Sequence, residues 1–352
     1  MQLPADRCYV IAEIGANHNG DMALARRLID AAAAAGADAA KFQSWDTGLF
    51  AETFYRDHPG VKVEVARHAV APRDLGELAA YCRDRGIAFA STPFSAGEVA
   101  VLDALDVPFV KVASMDLNND RLLRRVAATG RTIVLSTGFA SMAEIGHALS
   151  TLEAEGNRDI VLLHCVSLYP PPSDDLVNLL NIDMLAETFG YPVGFSDHTL
   201  GVELTFAAIA RGARIVEKHF TLDHAMPGWD HSVSAEPEEL VQIVAAARRI
   251  PAALGTRRRV ISETERAQAR VMRRSVVAAR PIRAGEVIAA TDLTLRRPGT
   301  GIAPNDVDRL VGCVAVRSLD TDELLAWTDV VPTGAMTLVP NPGPATSARE
   351  AA

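Results

Sequence analysis

YVIAEIGANHNGDMALARRLIDAAAAAGADAAKF, residues 9–42, reads as one complete strand–helix–strand unit. The apolar run Tyr9–Ala12 has the length of a buried strand. Met22–Ala35 repeats apolar residues at helical spacing, and Ala39–Phe42 opens the next strand. The alternation continues outward, with short apolar runs at Ile87–Ala90, Phe109–Val112, Thr132–Leu135, Ile160–His164, Val193–Phe195 and Arg214–Glu217. Helical patterns such as Asp74–Arg85, Ser141–Glu155 and Pro237–Ile250 accompany them. Eight strands, each followed by a helix, predict an α/β fold of the (β/α)8 TIM barrel type over residues 1–254. A doubly wound sheet would alternate as well, but eight regular units without a glycine fingerprint favour closure.

Past the barrel the texture changes. Residues 255–272 are charged, carry Arg257–Arg259 and read as a linker with some helix. Residues 273–332 hold short β-rich runs at Ser275–Ala278, Val287–Ile288, Leu293–Leu295 and Val314–Val316, which predict a small β domain. The tail, 333–352, is rich in Pro, Ala and small polar residues and is expected to be disordered. No internal repeat is read beyond the βα unit.

The 352 residues carry 35 Lys+Arg against 44 Asp+Glu, a formal charge of −9, and 49% of them are hydrophobic. That apolar content supports a large core and excludes global disorder. The acidic balance argues against a nucleic-acid binder, which needs a basic face. It leaves room for an anionic small substrate in a locally cationic pocket. No apolar run approaches the roughly 20 residues that span a bilayer, and Met1 to Arg7 do not begin a signal peptide. Cys8, Cys82, Cys165 and Cys313 lie far apart and read as small buried hydrophobes in a reducing compartment. A soluble cytoplasmic protein is expected.

In a (β/α)8 barrel, chemistry gathers where strands end. Every exit here is polar: Glu13; Lys41 and Gln43; Ser91 and Thr92; Lys111, Ser114 and Asp116; Ser136; His164, Ser167 and Tyr169; Ser196, Asp197 and His198; Glu217, Lys218 and His219. Lys41, Lys111, Ser114, Ser136 and Ser196 supply ammonium and hydroxyl donors suited to a small phosphorylated carboxylate. His198 and His219, on successive exits, could share a divalent ion, with Mn²⁺ or Mg²⁺ suiting an oxygen-rich substrate. Glu13, Asp116, Glu217 and Asp230 are carboxylates available for acid/base work or sugar hydroxyls. The segment His224–Pro237 is long enough to be a lid, in which Trp229 would serve either as a sugar platform or as packing.

Read in order, these motifs resemble the sialic acid synthase family, the synthases of N-acetylneuraminic, legionaminic and pseudaminic acids. The matching strings are Ile11–Gly15 with Asn17-His18-Asn19-Gly20, Lys41-Phe42-Gln43, Ser91-Thr92-Pro93-Phe94, Lys111-Val112-Ala113-Ser114, Leu135–Gly138, Leu163-His164-Cys165, Tyr169-Pro170, Gly194–Thr199 and Glu217–Phe220. The C-terminal module is similar to the family's antifreeze-like (SAF) domain through Arg274-Ser275, Ala284-Gly285-Glu286 and Arg297-Pro298-Gly299. The likeness runs over residues 9–331.

The resemblance implies a metal-dependent condensation of phosphoenolpyruvate with the aldehyde of an N-acylhexosamine, giving a nine-carbon 2-keto sugar acid and phosphate. It implies metal ligands at His198 and His219, and phosphoenolpyruvate contacts at Lys41, Thr92, Lys111, Ser114, Ser136, Ser167 and Ser196. Catalytic groups would be Glu13, Glu217 and Lys41, and sugar contacts Gln43, Asp116, Tyr169, Asp230 and Arg297. Arg297 would reach the barrel mouth of a partner in a domain-swapped homodimer. Ser167, where the family often has Asn, Asp116, where Glu is common, and the bulky Trp229 depart from the family pattern and bear on the acceptor. Alternative readings are a metal-dependent pyruvate aldolase or lyase on the same barrel, and a non-catalytic sugar-acid binder.

Overall fold

Valine, isoleucine and alanine fill the strand-forming runs because parallel strands are covered on both faces. The computed structural model describes residues 1–333; the expected disordered tail, apart from Thr333, lies outside the described residues. Eight strands pair in parallel: β1 Tyr9–Gly15, β2 Ala39–Ser44, β3 Ala88–Pro93, β4 Phe109–Val112, β5 Thr132–Ser136, β6 Ile160–Cys165, β7 Val193–Asp197 and β8 Ile215–His219. Their order is β3-β2-β1-β8-β7-β6-β5-β4, and β3 packs beside β4, so the sheet curls into a nearly closed barrel. Helices α1 Met22–Ala35, α2 Glu52–Asp57, α3 Pro59–His68, α4 Pro72–Asp84, α5 Ala96–Ala104, α6 Asp120–Ala127, α7 Met142–Ala154, α8 Asn181–Phe189, α9 Glu203–Ala210 and α10 Pro237–Leu254 intervene. Helix α1 starts at Asp21, whose side chain accepts from the Ala23 amide at 2.7 Å, and stops at Gly36 with φ 84°.

Strand residues alternate between two cores. Tyr9, Ile11, Ala39, Ala90, Phe109, Val134, Val161, Leu163 and Ile215 fill the barrel interior. Val10, Ala12, Ala40, Phe42, Val110, Leu135, Leu162 and Val216 face the helices. Seven of the strands run on past the last residue of the apolar run that marks them in the sequence, and the added residues are largely polar. The β2–β3 connection is more elaborate than expected: α2 and α3 precede α4 and help form a small apolar cluster of Ala16, Trp45, Tyr55 and Val65.

The chain divides after Gly255, and the second unit begins at Thr256. Helix α11, Glu263–Met272, occupies most of the segment read as a linker. Strand β9 (Ser275–Ala278) pairs antiparallel with β10 (Leu293–Arg296), and β11 (Cys313–Ala315) with β12 (Val330–Pro332), around Val276, Ile282, Ile288, Leu310 and Leu325. Val287 makes only an isolated bridge to Val314, and β12 is a strand that the sequence pattern does not signal.

This unit also overturns the expectation of no internal repeat. The spacing Arg-x5-Glu-x5-Asp occurs twice, at Arg280, Glu286, Asp292 and at Arg317, Glu323, Asp329. Each arginine clamps both of its carboxylates at 2.6–2.7 Å. Each aspartate also caps a short turn through the Ala289 or Ala326 amide, at 2.9 and 2.8 Å.

Candidate functional site

The alternation that sorts the two cores also builds the site. Two residues farther along each strand, the inward positions become Glu13, Lys41, Thr92, Lys111, Ser136, Cys165, Ser196 and Glu217. Strand register sets neighbours side by side: Glu13 with Lys41, Cys165 with Ser196, and Ser196 with Glu217. All eight line a cavity of about 490 Å³ at the C-terminal end of the barrel, together with Gln43, Ser114, Ser167, Tyr169, His198, His219 and Asp230. His164 and Lys218, equally polar in the sequence, point the other way. His164 Nε2 bonds the Val177 carbonyl at 2.6 Å, and Lys218 Nζ pairs with Asp197 at 2.9 Å.

Two lysines and two glutamates sit together in the dry floor. Lys41 Nζ lies 2.6 Å from Glu13 and 3.7 Å from Glu217, and Lys111 Nζ lies 3.8 Å from Glu217. The cations are shared unevenly. Burial pushes the Glu13 carboxyl above the usual carboxylate range, the nearby Glu217 charge adds to the rise, and Lys41 and the Gln43 amide do not reverse it. Burial acts on Glu217 too, but Lys111 and Lys41, with the Ser196 hydroxyl donating at 2.9 Å, hold its carboxyl below that range. Lys111 is lowered by burial, whereas Lys41 is raised because the carboxylates outweigh its burial. Unequal carboxylates in one site divide naturally into a proton carrier and a fixed charge.

Short hydroxyls and a close backbone complete the floor. Lys41 donates to Thr92 Oγ1 at 3.1 Å, and the Gly138 amide donates to Ser114 Oγ at 3.0 Å. A Cβ at Gly138 would stand 2.7 Å from Ser114 Oγ and collide with Ser167 Oγ, so only glycine lets the backbone approach here. Ser136 Oγ is buried without a hydrogen-bond partner, a donor awaiting an acceptor. At the end of β1 a bulge, with Gly15 at φ 52°, turns the strand, and Glu13 Oε1 accepts from Gln43 Nε2 at 2.7 Å.

His198 and His219 stand with ring centroids 5.4 Å apart, flanked by the Tyr169 ring. His198 donates from Nδ1 to the Val166 carbonyl at 2.9 Å, so that in its neutral form Nε2 carries the lone pair. His219 is buried and held neutral, its pKa lowered to about 4 by desolvation, and its Nδ1 has no hydrogen-bond partner. Asp230 Oδ2 lies 3.6 Å from that nitrogen. Among the described residues no group of three or more His, Cys, Asp or Glu is disposed to hold a metal. A divalent ion would therefore take two imidazoles here and complete its shell with substrate or water, and the orphaned nitrogen fits that demand.

Of the expected sugar contacts, Gln43, Tyr169 and Asp230 line the cavity. Asp116 does not; it is half-buried and accepts from Asn119 Nδ2 at 3.0 Å, while its neighbour Met115 lines the wall. Arg297 is exposed on the second unit. Sequence reading missed Cys165, which accepts from Ser114 Oγ at 3.5 Å and lies 3.4 Å from Ser167 Oγ. It also missed the apolar wall of Trp45, Leu49, Phe50, Val61 and Phe94. The inward β6 position could have flagged Cys165; nothing local flags a wall supplied by an inserted connection.

Residues 28–259 match the NeuB family, and residues 273–331 match the SAF domain. The chain is 37% identical to the N,N'-diacetyllegionaminic acid synthase of Campylobacter jejuni, over 90% of this chain and 98% of that protein. It is 34% identical to the human N-acetylneuraminate-9-phosphate synthase, over 90% and 91%. Its fold matches the N-acetylneuraminic acid (sialic acid) synthetase of Leptospira borgpetersenii, solved with citrate, at TM-score 0.69 and 35% identity, over 74% of this chain and 90% of that one.

Proposed function

The chain belongs to the NeuB family, and from that premise we propose that it condenses phosphoenolpyruvate with the open-chain aldehyde of an N-acyl amino sugar, releasing phosphate and a nine-carbon 2-keto sugar acid. The observation that carries this reading is the donor-rich floor, where Lys41, Lys111, Thr92, Ser114, Ser136 and Ser196 converge on one small volume. A phosphate and a carboxylate on a three-carbon frame would satisfy such a set; free pyruvate would leave much of it unmet.

The methylene carbon of phosphoenolpyruvate forms the new bond to the aldehyde carbon, and the aldehyde oxygen takes a proton. Positive charge then develops at the enol-ether carbon, where water adds and loses a proton. Phosphate departs as its C–O bond breaks and the new hydroxyl gives up its proton, which leaves the ketone. Glu13, the more basic of the two carboxylates, is placed to carry protons, while Glu217 stays ionised and steadies the two lysines. Lys41 and Lys111 offset the phosphate charge. Gln43, Tyr169 and Asp230 orient the sugar. Mn²⁺ or Mg²⁺ held by His198 and His219 would polarise the aldehyde oxygen as a Lewis acid.

In this reading the second unit lends Arg297 to the barrel mouth of a partner, so the working enzyme is a domain-swapped homodimer acting in the cytoplasm. The free thiols of Cys8, Cys82, Cys165 and Cys313 fit a reducing compartment. No helix of the described residues is long and apolar enough to cross a membrane. Arg297→Ala should raise the sugar KM at least tenfold more than the phosphoenolpyruvate KM; equal changes would remove Arg297 from the sugar site. The reading as a whole is tested by phosphate release from phosphoenolpyruvate with Mn²⁺ over a panel of N-acyl amino sugars. Release that depends on one sugar and stops with chelator supports it, and no release with any sugar rejects it.

A further inference from the structure

We propose that Trp229, clamped by the aromatic residues behind it, selects an unphosphorylated, deoxygenated acceptor that carries methyl-bearing substituents toward the outer wall of the cavity. This deepens the condensation reading and rests on it.

Trp229 follows β8, directly before Asp230, and its ring stacks on His68 of α3 with centroids 4.7 Å apart and planes 27° apart. The ring of Trp45, at the exit of β2, lies 5.9 Å from it and is tilted by 35°. Both supports are themselves fixed. His68 Nδ1 bonds the Glu64 carbonyl at 2.8 Å, Trp45 Nε1 donates to the Val65 carbonyl at 3.3 Å, and Phe94 packs on Trp45 at 5.8 Å. Trp229 nevertheless keeps 44% of its surface exposed and lines the cavity. Its ring is therefore both lid packing and platform.

Charge separates the two ends of the cavity. Lys41 and Lys111 are the lysines of its lining; both lie in the floor near Glu13 and Glu217, and no arginine of the described residues joins them. Around Trp229 the wall is Trp45, Leu49, Phe50, Val61 and Phe94, and the adjacent polar group is the Asp230 carboxylate. A phosphate set against this wall and that carboxylate would be desolvated at a cost, with only Arg297 of the partner subunit, as proposed above, to offset its charge. A hydroxyl against the wall would lose its water bonds, whereas a methyl there gains apolar burial. Gln43 and Asp230 lie on the same two segments as Trp45 and Trp229, so the wall stands beside the groups placed to orient the sugar.

The test compares kcat/KM, by phosphate release, for a 2,4-diacetamido-2,4,6-trideoxyhexose, N-acetylmannosamine and N-acetylmannosamine 6-phosphate. The wild-type chain should prefer the trideoxy sugar over N-acetylmannosamine by at least about tenfold, and should use the phosphate ester least. Trp229→Ala should shrink the first preference about tenfold while the phosphoenolpyruvate KM stays unchanged, and Trp229→Phe should retain most of it. Best turnover with the 6-phosphate or with N-acetylmannosamine, or a preference untouched in Trp229→Ala, overturns the proposal and leaves the condensation reading standing. No phosphate from any acceptor overturns both.

Discussion

Glu13 and Lys41 occupy opposed positions on β1 and β2, both almost fully buried, with Nζ and Oε2 2.6 Å apart. Removing one partner of such a pair strands the other in a dry site. Lys41→Met should therefore lower global stability by about 3–5 kcal/mol, read from the urea midpoint. Glu13→Gln should cost less stability, because Glu217 still faces Lys41 at 3.7 Å, should lower kcat by about 10²–10⁴-fold, and should partly restore the midpoint when added to Lys41→Met. An unchanged midpoint in Lys41→Met would mean that the floor tolerates an unpaired carboxylate.

Gly138→Ala tests the close approach of the backbone to Ser114 and Ser167. The added Cβ needs space that Ser114 Oγ occupies at 2.7 Å, so the hydroxyl must move. Displacements on that scale cost about 10²-fold in well-fitted sites, and the loss should fall on phosphoenolpyruvate rather than on the sugar. A phosphoenolpyruvate KM equal to wild type would remove Ser114 from that subsite.

His219→Ala should abolish Mn²⁺ binding in titration calorimetry and stop turnover, with the melting temperature of the metal-free protein held within a few degrees. His198→Ala should behave alike. Metal binding that survives either change would place the ion elsewhere.

The duplicated clamps of the second unit make a symmetric stability prediction. Burial pushes the carboxyl of Asp329 up, but the bond from Arg317, the Ala326 amide and the Arg317 charge together outweigh it and keep it below the usual range. A depressed carboxyl contributes stability at pH above its unfolded value, and that contribution is lost as pH falls through the folded value. Arg280→Met and Arg317→Met should each lower the urea midpoint at neutral pH, with the Arg317→Met deficit fading on acidification. A deficit in Arg317→Met that does not change with pH would contradict the clamp.

Much of this architecture is legible in the order of the residues. The barrel is readable because buried parallel strands and their helices carry different periods. Strand ends are less legible: the expected ends fall where apolar character stops, while β1 continues through Glu13 and β8 through His219, since in a barrel polarity marks the layer and not the end of pairing. The sequence also cannot separate His198 from His164, or Lys111 from Lys218, until register assigns each an inward or outward side. The Arg280 and Arg317 repeats escape notice because their apolar residues differ and the shared clamp is spread over many positions. The role of Trp229 depends on α3 standing beside it, and His68 is remote from it in sequence.

In the proposed reaction this cavity joins the phosphoenolpyruvate methylene carbon to an aldehyde and breaks the C–O bond to phosphate. Phosphoenolpyruvate labelled with ¹⁸O at the bridging oxygen tests it most directly, with the acceptor panel present and both products read by mass spectrometry. Labelled phosphate and an unlabelled nine-carbon keto acid are the expected products. Label retained in the organic product, or pyruvate in place of the keto acid, would contradict it.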